Sequence, residues 1–126
     1  MNTNTILQAI KTDLTGIAGI KTVAVGLESG MNANSYPAIR IVPVSNKPSG
    51  MMGRNHLTID VFVGFAAKPN DLENSYSTLY QWEADIINRL NLAASASYAA
   101  MWQSTQNDED ALPAAKLICV SFEVVY

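Results

Sequence analysis

The stretch NHLTIDVFVGFA (residues 55–66) decides the fold. Leu57, Ile59, Val61, Val63 and Phe65 fall on one side, and Thr58, Asp60, Phe62 and Gly64 on the other. A period of two belongs to a β-strand with one face on a core. Asp60 shows that the second face meets water or a polar neighbour. Twelve residues is long against the usual 5 or 6. The frame of the molecule is therefore a sheet.

Working outward, AIRIVPV (38–44) reads as a second strand. Pro43 has no N–H to give a ladder, so it marks a strand end or an edge. KTVAVGLE (21–28) alternates as well, with Val23, Val25 and Leu27 pointing one way. These three strands are joined by chain too short for helical crossovers, which predicts an antiparallel meander. AKLICVSFEVVY (115–126) reads as a further strand. Two helices flank them. Ile6, Leu7, Ile10, Leu14 and Ile17 form one apolar face over 5–17, with Thr3 or Thr5 as cap and Gly16 and Gly19 at the end. The second spans 71–91, with Leu72, Tyr76, Leu79, Ile86, Ile87 and Leu90 as its stripe and Asn70 and Glu73 at capping-box spacing. Between 93 and 113 the pattern is weak: a short helix over AASASYAAMWQS, then an acidic exposed loop, QNDEDALP. The expectation is a single α+β domain over 1–126. An antiparallel sheet of about four strands carries two main helices on one face, in the order α-β-β-β-α-(short α)-β.

Composition narrows the function classes. Charged residues make up 15% of the 126, against a usual share of about 25%. Interface cores are depleted in charge, so protein–protein contact is the simplest account of that deficit. A net charge of −3 argues against general nucleic-acid binding, which needs a basic face. One cysteine, Cys119, and one histidine, His56, make a metal site improbable, and Cys119 reads as a small buried hydrophobe. No apolar run is long enough to span a membrane. MNTNTILQAIKTDL lacks the basic start and continuous apolar stretch of a signal peptide.

Catalytic signatures are missing. The chain has no GxSxG, GxxxxGK[ST] or GxGxxG. Gly50 and Gly53 form a GxxG pair, but it joins two strands and not the two helices of a phosphate-clamping KH domain. Asp71 and Glu73 suit a helix N-terminus. No catalytic residue, metal ligand or cofactor is expected, and the chain reads as a non-enzyme.

Several residues point to partners instead. The loop SGMMGRN (49–55) is apolar at its tip, Met51 and Met52, between two glycines. Trp82 lies off the stripe of the second helix, where it either anchors a partner or covers a neighbouring loop. Glu83 falls at the stripe. It either reaches water or pairs across an interface with Arg40, Arg54 or Arg89. Asp108, Glu109 and Asp110 form an acidic run.

The order of these elements resembles the tail terminator, or tail completion, proteins of long-tailed bacteriophages. An N-terminal helix ends near Gly19, and a strand follows at 21–28. YPAIRIVPV (36–44), a glycine-rich hairpin loop and HLTIDVFVGFA (56–66) come next. DLENSYSTLYQWEADIINRL (71–90) and a C-terminal strand complete it. Small neck connectors share this look. The resemblance implies a virion protein, assembled in the host cytoplasm, that forms a homo-oligomeric, hexameric ring. Such a ring caps the tail tube protein, stops tube growth and meets a head–neck connector protein, while DNA only passes through its channel. No membrane is involved. On that reading Met51 and Met52 dock on a neighbouring subunit or on the tube end, helped by methionine's adaptable side chain. Lys47 and Arg54 set orientation against acidic groups. Asp108 to Asp110 either repel DNA within the channel or only solubilise a loop. The competing expectation is a small dimeric α+β module with a ligand cleft using Tyr98, Trp102 and Tyr126.

Overall fold

In the computed structural model the described residues are 2–26, 37–48, 53–66, 72–92, 98–108 and 115–126. The elements run α1 (Thr3–Leu14), β1 (Thr22–Val25), β2 (Ala38–Pro48), β3 (Asn55–Ala66), α2 (Leu72–Leu92), β4 (Ala99–Asp108) and β5 (Ala115–Val125). The strands form one mixed sheet in the order β1-β2-β3-β5-β4. The α+β class and the helix and strand order agree with expectation.

The strand count is five, because residues expected as a short helix and the start of an acidic loop are β4. Alanine favours a helix, but β-propensity yields to packing against neighbours. Tyr98 and Ala100 are buried while Ala99 and Met101 are exposed, which is a period of two. Pairing with β5 along its length, from Ala99↔Val125 to Asp108↔Leu117, settles the conformation. Nor do the first three strands form a meander. β1 pairs parallel to β2, in the register Thr22↔Ala38 to Val25↔Ile41. About a dozen residues are the least that a parallel connection needs, and residues 26–37 supply that number.

β3 takes the place its pattern predicts, between β2 and β5 near the middle of the sheet. Leu57, Ile59, Val61 and Val63 are fully buried, as are Ile118, Val120, Phe122 and Val124 of β5. They share a core with Ile6, Leu7, Ile10 and Leu14 of α1 and with Leu79, Trp82, Ile86 and Leu90 of α2. Both helices thus cover one face of the sheet, and the even-numbered side of β3 faces away from them.

Helix α1 is capped by Asn2, not by Thr3 or Thr5. The Asn2 side chain accepts from the Thr5 backbone N–H at 2.8 Å. Thr3 instead bonds the sheet: its Oγ1 lies 2.8 Å from the Tyr126 hydroxyl and accepts from Asn46 Nδ2 at 2.9 Å. The helix spans Thr3–Leu14 and so ends three residues short of the expected 17, with Thr15 as its C-cap; Gly16 follows with a φ of 95°, which suits glycine at that position. Asn70, the expected cap of α2, lies outside the described residues.

Pro43 sits where its missing N–H does no harm. Gly26 N–H donates to Ile41 C=O, so the Ile41 backbone points away from β3 toward β1. Backbone direction alternates along a strand, so Pro43, two residues on, also points outward. There β1 has ended, and the β2–β3 register shifts between Pro43 and Ser45. An edge and a bulge are the two places that tolerate proline.

Candidate functional site: the open sheet face and its two edges

Cross-strand register builds a polar ladder on the face away from the helices. Asp60 is opposite Ser121, and Ser121 Oγ donates to Asp60 Oδ1 at 2.7 Å. Glu123, opposite Thr58, reaches diagonally to His56, whose Nδ1 lies 2.7 Å from Glu123 Oε1, both side chains about 30% exposed. Cys119 is half-buried on this face, 4.0 Å from Ser121 Oγ. The expectation of a fully buried cysteine fails because β5 turns its odd residues outward. His56 and Asp60 stand four residues apart on one strand, on the order of 13 Å. Each carboxylate has its own hydrogen-bond partner, so the ladder satisfies itself. Sequence alone does not reveal it, since the partners are about 60 residues apart and only the register unites them.

Trp82 does not anchor a partner; it covers a neighbouring loop. It is 5% exposed, and its Nε1 donates to Ala18 C=O at 3.0 Å. Trp82 is three residues after Leu79 and four before Ile86, so it belongs to the stripe. Arg89 is also engaged within the chain. Its guanidinium donates to the carbonyls of Thr15 at 2.9 Å, Gly16 at 3.2 Å and Asp13 at 3.4 Å, across the end of α1. That location favours a cation, since the last carbonyls of a helix lack partners. Glu83 is half-buried on α2. Arg40 is on the opposite face of the sheet and 8% exposed, and Arg54 is exposed beside β3. Glu83 and these arginines are therefore not brought together.

Of the three aromatics assigned to a ligand cleft, two are tied into the fold. Tyr98 is buried and donates to Asp13 Oδ2 at 2.5 Å. Burial first, then the Asp13 hydrogen bond and charge, push its phenol well above the usual tyrosine range. Tyr126 bonds Thr3. Trp102 alone is open, at 48% exposure, with Nε1 donating to Thr105 Oγ1 at 3.1 Å.

The two edges of the sheet differ. Beyond Ile41, β2 runs without β1, and every residue from Pro43 to Pro48 is exposed, Val44 at 57%. This overhang carries Lys47, opposite His56, and leads toward the expected docking loop. Met51 and Met52 lie outside the described residues, as do Glu109 and Asp110. Asp108 ends β4 and does not belong to a loop. The other edge, β4, carries exposed Met101 and Trp102. Among the described residues no group of three His, Cys, Asp or Glu side chains could hold a metal, and no helix is long and apolar enough to cross a membrane.

No family model matches the chain, and no curated protein matches it.

Proposed function

We propose that the chain is a structural subunit that caps a phage tail tube as a ring, stops tube growth and joins the tail to the head or neck. The observation that carries this reading is the exposed overhang of the β2–β3 hairpin. Six consecutive residues, Pro43 to Pro48, stand exposed beyond the end of β1, tied to α1 through the Asn46–Thr3 hydrogen bond, with an exposed apolar Val44 and a cation, Lys47. An arm of this kind suits docking on a neighbouring subunit or on the tube end. Its apolar atoms supply affinity and its charge supplies orientation. The low charge content and the element order shared with tail terminators support the same reading. The partners are further copies of this chain, the tube protein and a head–neck connector, with DNA passing through the channel.

A tube-growth assay tests it. Purified tube protein of the matching phage is polymerised with and without the chain. The chain shortens the tubes and narrows their length distribution, while the double variant Val44→Ser, Lys47→Glu leaves growth unchecked with its fold intact. Tubes of equal length with and without the chain contradict the proposal.

A further inference from the structure

Among the described residues, β4 is the one long strand edge without a proline. Asn55 and Tyr126 exchange both backbone hydrogen bonds, so the Tyr126 backbone points to β3. Alternation along β5 then points Val125 and Glu123 toward β4, where they face Ala99 and Met101. The backbone N–H and C=O groups of Ala100 and Trp102 therefore point outward, where the described residues place no strand. A bulge between Trp102 and Ser104 interrupts the edge beyond.

We propose that this edge pairs antiparallel with β4 of a second copy, about a two-fold axis at Met101. Three observations select a second copy and its β4. First, residues 90–107 contain no Asp, Glu, Lys, Arg or His, in a chain of net charge −3. Two copies can approach along this seam without like-charge repulsion. Second, the opposite side of the sheet is closed to such pairing. Pro43 and Pro48 remove donors there, Lys47 and a bulge blunt it, and β1 is only four residues long. Natural edges are guarded in this way, and β4 carries only the bulge. Third, the strand is complementary to itself. In this register Ala100 and Trp102 of one copy exchange backbone bonds with Trp102 and Ala100 of the other. Each indole, held by its bond to Thr105, lies over the small Ala100 of its neighbour on the helix side. Met101 meets Met101 on the open side, in a non-hydrogen-bonded pair with Cα atoms about 4.5 Å apart.

A two-fold contact uses the same patch twice and closes at two copies, so it is separate from the contacts of any ring. The seam is short and the pair weak, so the test traps it. Met101→Cys in a Cys119→Ser background is oxidised with glutathione and followed on non-reducing gels. The Cα spacing lies within disulfide range. A linked dimer forms. Adding Trp102→Lys slows its formation roughly tenfold, while the melting temperature stays at that of the parent. Thr105→Cys, beyond the bulge, links far more slowly. Failure of Met101→Cys to link, or linking at an equal rate with Trp102→Lys, overturns the proposal. Tube capping is read separately, so either result leaves the ring reading to its own assay.

Discussion

Trp82 joins α2 to the turn that follows α1, packed in the core with Leu79 and Ile86 and bonded to Ala18 C=O. The indole fills the space under the turn at 18–19, and a Cβ added to Gly19 would sit 3.4 Å from Nε1. Trp82→Ala should cost about 3–5 kcal/mol, read as a lower urea midpoint. Trp82→Phe loses the Ala18 bond and some volume, about 1–2 kcal/mol. Tyr98 makes a pH-dependent contribution. Its folded pKa is raised, so the protonated phenol is the form the fold favours. The stability it adds is present in full below the unfolded value of about 10 and is lost as pH rises toward the folded one. The stability difference between the wild type and Tyr98→Phe should therefore be constant up to about pH 9.5 and shrink above it. Urea titrations at stepped alkaline pH check this; a difference that grows there contradicts it. The Tyr98–Asp13 pair was not legible, because the two residues are 85 apart in sequence.

At the scale of elements, β3 was legible from its alternation alone, down to its ends at Asn55 and Ala66. β4 was not. Its alanines favour a helix, the bulge between Trp102 and Ser104 breaks its alternation, and only β5 makes it a strand. The parallel β1–β2 pair escaped for a different reason: strand direction depends on the path of the connection, which no local pattern records. Arg89 joins two elements. Arg89→Met should cost about 1 kcal/mol, a modest value because the three carbonyls it serves lie near solvent. Arg89→Lys should recover only part of that, since one ammonium cannot span three carbonyls. The proline-guarded edge of β2 makes its own prediction. Replacing Pro43 and Pro48 with threonine restores outward donors along the overhang. The double variant should keep its melting temperature within a few degrees and aggregate faster by light scattering. Unchanged aggregation would show that the prolines do not guard the edge.

At the scale of the whole molecule, three surfaces stand out among the described residues. The open face carries a polar ladder that satisfies itself. The β2 overhang is exposed, apolar at Val44 and cationic at Lys47. The β4 edge is uncharged and carries Met101 and Trp102. Of the residues first assigned to an interface, Lys47 and Arg54 are exposed near the overhang, while Trp82 and Arg89 are engaged in the core and at a helix end. That division has a physical cause. A tryptophan or arginine is equally suited to an interface or to an internal cap, and only the three-dimensional neighbours decide between them.

The ring we propose on the end of a tail tube would be built from copies of this chain. The most direct measurement is negative-stain imaging of tail tubes mixed with the purified chain, with the mass of the bound cap determined on the same sample. The expected image is a ring of about six copies with a central hole at one end of each tube. Bare tube ends, with the chain remaining in solution as monomers or two-fold pairs, would contradict it.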